Sequence, residues 1–90
     1  MANNFGRLDL LIEMDKTTYV IELKLDRTPE AGLQQIVSQE YDKPYLRQGK
    51  SIARIGLNFS SKKRNIDTWQ GELLDENGKL IRKLAPEDKQ

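Results

Sequence analysis

The chain has 90 residues, 37% hydrophobic and 32% charged, with a formal net charge of +1. This suits one small globular, soluble domain near the lower limit for a self-sufficient core. Cysteine and histidine are both absent, which excludes disulfides, thiolate nucleophiles, Cys-based zinc sites, Ser-His-Asp triads and imidazole metal ligation. Any catalysis must rest on carboxylates, Lys, Arg, Tyr, Ser/Thr and oxygen-binding hard cations.

No apolar run approaches the ~18 residues of a membrane span. The opening MANNFGRLDL lacks the basic-then-apolar order of a signal peptide, so a cytoplasmic location is expected. No internal repeat or low-complexity linker is visible, and residues 1–90 are read as one domain, with a core over about 6–74 and a hairpin extension and frayed tail over 75–90.

Arg7 to Met14 (RLDLLIEM) and Thr17 to Leu25 (TTYVIELKL) alternate with period two and predict two strands. Asp15-Lys16 between them fits a two-residue hairpin turn. Thr28 can cap a helix that has Pro29 at its first position and Glu30 in its first turn. Leu33, Ile36, Val37 and Tyr41 form its apolar stripe, and it should end before Pro44. Ser51 to Phe59 predicts another strand, SSKKRN a loop, and Trp69 to Leu74 a further strand. Glu76-Asn77-Gly78 then turns the chain into a return strand near Leu80 to Leu84. The order β-β-α-β-β implies an α/β sheet with a helix packed on it, the helix making a right-handed crossover between parallel strands.

A turn centred between Asp15 and Lys16 pairs Leu8 with Leu23, Leu10 with Ile21 and Ile12 with Tyr19, an apolar face. A one-residue slip would set Leu10 against Glu22 and mix charge into it. In the same register Asp9 faces Glu22 on the opposite side of the sheet, and Lys24 shares that side. Opposed carboxylates ~5 Å apart at an effective dielectric of ~20 repel by about 3 kcal/mol. A cation between them or a proton on one of them relieves this. Two alternatives stay open on spacing alone: a hard-cation site, or a salt-bridged cluster of Arg7, Asp9, Glu22 and Lys24 on a solvated face. The basic residues group as Lys43, Arg47, Lys50 and Arg54 and as Lys62, Lys63 and Arg64. They read as a solvated rim or as a patch that follows a phosphate backbone.

Asp9, then Glu22-Leu23-Lys24 after twelve intervening residues, each preceded by apolar residues, resembles the PD-(D/E)XK nuclease superfamily. The text GRLDLLIE, YVIELKLD, EAGLQQIVSQEYDKPY and IGLNFSSKKRNIDTW extends the likeness from Gly6 to Trp69. It is most similar to a bacterial branch found C-terminal to an AAA-type ATPase-like domain. The resemblance implies a restriction-endonuclease-like mixed sheet, truncated at its N-terminus. It also implies a divalent-metal nuclease in which a metal-activated water hydrolyses phosphodiesters of DNA, or less readily RNA. By the same resemblance Asp9, Glu22 and the Leu23 carbonyl hold Mg²⁺ (or Mn²⁺), Lys24 is the catalytic lysine, and Gln35 borders the site. Tyr41 and Tyr45 match aromatic positions near the helix end, and Lys62, Lys63 and Arg64 are candidate nucleic-acid contacts.

Two features depart from the family pattern. Only eight residues precede Asp9, too few for the helix and strand that usually open this fold. A Gly-rich phosphate loop and the ATPase-like domain are missing. A fragment, or a homodimer formed beside an unpaired edge strand, is therefore expected. The competing functional readings are a catalytically inactive binding or assembly module of a larger ATPase-linked protein, and a purely structural domain.

Overall fold

Alternating apolar side chains, a capped helix and two tight turns build a mixed sheet with one helix on it in a computed structural model of the chain. The structure describes residues 8–86. Arg7, expected in the first strand and in the charged cluster, lies outside them, as does the tail from residue 87. The elements are β1 (Leu10–Glu13), β2 (Thr17–Leu25), α1 (Pro29–Gln39), a 3-10 turn (Lys43–Tyr45), β3 (Ser51–Ser60), β4 (Asn65–Leu74) and β5 (Leu80–Leu84). No helix among the described residues is long and apolar enough to cross a membrane.

The strands lie side by side in chain order, β1-β2-β3-β4-β5. Only β2 and β3 run parallel, joined by α1 as expected, and the other neighbours are antiparallel. Leu10 pairs with Ile21, Leu11 with Val20 and Ile12 with Tyr19, the register expected from the apolar pattern. Met14 N–H donates to Thr17 O at 2.9 Å and closes the hairpin. The Leu8–Leu23 pair does not form part of this ladder. The chain bends at Asp9, and Leu8 packs instead against the core under the helix.

The helix begins as expected, with Thr28 Oγ1 accepting the Ala31 N–H at 3.2 Å. It stops at Gln39, well before Pro44, because Glu40 adopts the left-handed conformation (φ 56°). The N–H groups of Glu40 and Tyr41 then close back on Val37 O and Ile36 O. Its buried face also differs from the expected stripe. Pro29, Gly32 and Ile36 face the sheet, whereas Val37 is 50% exposed and Tyr41 lies past the helix end, buried.

Two glycines rotate the helix this way. A Cβ on Gly56 of β3 would sit 2.1 Å from Pro29 O, and one on Gly32 would sit 3.0 Å from Gly56 Cα. Backbone therefore lies on backbone at this crossing, and the helix settles over Gly56 and Glu22. The fully buried Val20, Ile36, Ile52 and Leu74 complete the core on that side, each contributing about 1.5–3 kcal/mol.

β4 starts at Asn65, earlier than the expected Trp69, because the β3–β4 turn takes only Ser61 to Arg64. Arg64 N–H donates to Ser60 O at 2.7 Å with Arg64 at φ 58°. The first expected basic group is not a row of free cations. Lys43 pairs with Glu40 and Lys50 with Glu13. Arg54 is no rim residue either: its register opposite Val20 and Glu72 places it on the helix side, where it bridges Glu72 and, at 3.5 Å, Asp42.

Candidate active site

The β1–β2 ladder ends at Leu10↔Ile21, so Asp9 sits one step beyond it, at the bend. Its N–H donates to Glu22 Oε1 at 3.4 Å, and its Oδ2 accepts the Leu23 N–H at 2.9 Å. Asp9 and Glu22 are thus neighbours, as the register implied. The N–H and C=O of one strand residue point to the same strand edge. The Leu23 carbonyl therefore also faces the end of the β1 ladder beside Asp9.

Glu22 is 3% exposed, beneath Gly32 of the helix, while Asp9 is exposed. Burial pushes the Glu22 carboxyl up to about 7, and the Asp9 charge pushes the same way; the Asp9 N–H and the Lys24 charge oppose them. A buried acid held against its preference for water, beside a second acid, is a site prepared for positive charge.

Lys24 lies two residues further along β2, on the same side of the sheet as Glu22. Its Nζ donates to Gln35 Oε1 on α1. Gln35 Nε2 in turn donates to Tyr41 Oη at 3.4 Å. The structure thus brings Gln35 to the lysine, and the buried Tyr41 behind it. Tyr45 is half-buried and packs against the core.

Four residues with no role expected from the sequence shape the far side of Lys24. Asp26, at φ 53°, accepts from Ser61 N–H at 2.9 Å and Ser61 Oγ at 2.5 Å, and Ser61 holds its carboxyl below the usual range. The buried Asn58 accepts the Arg27 N–H at 2.7 Å. These bonds pin the β2–α1 loop to the end of β3. They hold Arg27 beside Lys24 and Gln35 along one groove of about 720 Å³. The one available signal was Asn58, a polar residue in the apolar run IGLNF; nothing in the sequence marked Arg27.

The Asp26–Ser61 bonds also bring the start of the β3–β4 turn to this end of the sheet. Lys62, Lys63 and Arg64 are exposed there, with Lys63 paired to Asp67 at 2.9 Å. They do not line the groove with Lys24.

The donor set fits a hard divalent cation: two carboxylates and a carbonyl, all oxygen, with the buried Glu22 short of positive charge. Among the described residues no three acidic side chains converge, so water or substrate oxygens would complete the coordination.

Residues 1–69 match the family model of the PD-(D/E)XK nuclease superfamily. No match was found among curated proteins or among solved structures. Nucleases of this superfamily act on nucleic acids and generally use divalent metals, and the mixed five-stranded sheet with its packed helix is consistent with a restriction-endonuclease-like fold. With most of its length matched and the motif residues adjacent at one end of the β1–β2 hairpin, this chain belongs to the PD-(D/E)XK nuclease superfamily.

Proposed function

We propose that this chain hydrolyses phosphodiester bonds of nucleic acid, DNA being the first substrate to test, with Mg²⁺ or Mn²⁺ held by Asp9, Glu22 and the Leu23 carbonyl. The observation that carries this reading is the buried Glu22, its carboxyl raised to about 7, against Asp9 and within reach of the Lys24 charge. A bound cation would supply Lewis acidity and charge neutralisation at that point.

The chain's own residues divide the remaining work. Asp9 is fixed by the Leu23 N–H, so its carboxylate is oriented before any ligand arrives. Lys24 offers a cationic donor to the phosphate oxygen on which charge accumulates, and to the attacking water. Gln35 holds the ammonium in place, which lowers the cost of positioning it during reaction. Arg27, pinned through its backbone, is placed to take an adjacent phosphate, and Lys62, Lys63 and Arg64 a more distant one.

The test is cleavage of plasmid and single-stranded DNA with Mg²⁺ or Mn²⁺ by wild type, Asp9→Ala and Lys24→Ala. Activity in wild type alone supports the reading, and equal cutting by all three removes it. One observation favours a second reading, a non-cutting module of a larger ATPase-linked protein: only two carboxylates meet at the site among the described residues. Tight Mn²⁺ binding by calorimetry without turnover would select that alternative.

A further inference from the structure

A lysine carries its charge on a flexible four-carbon stem, so its ammonium has no fixed place unless something holds it. Lys24 Nζ donates to Gln35 Oε1 across the gap between β2 and α1. That bond fixes the ammonium only if the carboxamide is fixed in turn, and a glutamine side chain is itself free to rotate. A lysine offers donors alone, so the amide must show its oxygen to Lys24 and its NH2 group to the other side. Tyr41 stands on that other side, its Oη accepting from Gln35 Nε2 at 3.4 Å. A half-turn of the amide would set NH2 against the ammonium.

Residues six apart are not neighbours on a continuous helix, where side chains meet at spacings of three and four. Gln35 and Tyr41 meet because α1 stops at Gln39. Glu40 takes φ 56°, and the Tyr41 N–H closes on Ile36 O at 3.1 Å. The chain leaves the helical path there, and the Tyr41 ring enters the core with Val20, Ile36, Ile52 and Leu74. Gln35 and Lys24 are only half-buried. Of the three side chains, Tyr41 is therefore the one whose place is set by packing on all sides.

We propose that Tyr41 is a positioning residue for Lys24. Its hydroxyl holds the Gln35 carboxamide in the one orientation that offers oxygen to the ammonium, and the lysine is thereby ordered on the Glu22 side of the sheet before any ligand arrives. Tyr41 touches no substrate; it acts through Gln35. The left-handed residue Glu40 then does more than end the helix, because it delivers this hydroxyl to the amide. That the ordering serves catalysis rests on the function proposed above; the ordering itself does not.

Tyr41→Phe keeps the ring and removes the acceptor. Nitrogen-15 relaxation of the Gln35 side-chain amide reads the result without substrate, with the exposed Gln34 as internal standard. In wild type the Gln35 order parameter should lie close to the backbone's, about 0.85, and in Tyr41→Phe it should fall below about 0.6 while the backbone of β2 and β3 holds. In Lys24→Ala the amide should stay ordered, since the tyrosine and not the lysine fixes it. In DNA cleavage Tyr41→Phe should lower kcat about three- to fivefold with KM unchanged, and should cost nothing further in a Gln35→Ala background. A wild-type Gln35 amide as mobile as that of Gln34 overturns the proposal, and so does one that stays ordered in Tyr41→Phe. If that variant fails to fold, Lys24→Ala decides, and loss of amide order there overturns the proposal as well. Equal kcat losses from Tyr41→Phe in both backgrounds would also sink it, because the hydroxyl would then act through packing and not through Gln35. Absence of cutting by every protein, wild type included, would remove the nuclease reading, while the relaxation data still decide whether Tyr41 orders the amide.

Discussion

Gln35 of the helix accepts a hydrogen bond from Lys24 of β2, joining the residue proposed to meet the phosphate to the element that covers the sheet. The link makes Gln35 a positioning residue, and its loss should differ from loss of the lysine. Gln35→Ala should lower kcat about tenfold with KM nearly unchanged, whereas Lys24→Ala should lower kcat by about 10²–10³. Single-turnover cleavage with saturating DNA separates the two; equal losses would make Gln35 part of the reacting set.

The Glu22 carboxyl, raised to about 7, gives the cation-free protein a defined pH response. A raised folded-state value means that the native chain holds a proton which the unfolded chain has already released. Stability should therefore fall as pH rises from about 4.5 to about 7, and stay low above that. Glu22→Gln should restore roughly 1–2 kcal/mol at about pH 8. Millimolar Mg²⁺ or Mn²⁺ should raise the wild-type melting temperature at that pH and leave the variant nearly unmoved. Calorimetry across this range checks both; a flat wild-type profile would refute the assignment.

Gly56 is where the helix backbone meets the sheet backbone. Gly56→Ala would force its Cβ to within 2.1 Å of Pro29 O. Since both partners are main chain, the helix must lift. A loss of at least about 3 kcal/mol is expected, visible in urea unfolding. Gly49, whose added Cβ meets nothing within 4 Å but which sits at φ 75°, should lose only about 1 kcal/mol on the same change.

Arg54 bridges Asp42 and Glu72 on the helix side, and its Nε finds no partner among the described residues. Arg54→Met leaves two partly buried acids without their cation and should cost about 3 kcal/mol. The triple change that also makes Asp42→Asn and Glu72→Gln should recover at least half of that. Thermal melts of the series test the coupling; an additive result would show that the three do not form a unit.

Arg27 and the β3–β4 turn are expected to act on affinity alone. Neutralising Arg27 should flatten the salt dependence of DNA binding by about one phosphate contact, and neutralising Lys62, Lys63 and Arg64 by about two more. Fluorescence anisotropy between about 50 and 200 mM salt reads these slopes. An unaltered slope in the triple variant would return the turn to the role of solvated hairpin.

The strand order and the Leu10↔Ile21 register were legible because alternation with period two leaves one pairing that keeps charge off the apolar face. From that pairing the meeting of Asp9 and Glu22 followed directly. The side of the sheet chosen by the helix was not legible. The apolar residues of β2 pointed one way, but the helix settled on Glu22 and Gly56, because only there can two backbones touch. That choice also made Val37 a surface residue and took Tyr41 off the expected stripe. Arg54 misled for a related reason: a cation in a run of cations reads as rim until its cross-strand neighbour, Glu72, is known. The Arg27 loop depends on bonds across more than thirty residues of chain, from Asn58 and Ser61, and no local pattern encodes these.

Asp9 hangs from one of the two short edge ladders of the sheet. β1 contributes four paired residues, on one side only, and Asp9 lies past the last of them. Fraying of that ladder needs little of the global unfolding energy, because such margins open first. Each opening would carry the carboxylate away from Glu22 while the parallel strands and helix stay intact. The coordination sphere is thus assembled and dismantled by one peripheral ribbon, and cation uptake should slow amide exchange from Leu10 to Glu13 far more than exchange in the centre of the sheet. Uniform protection, or none at that ribbon, would show that the ribbon is not the mobile half of the cation site.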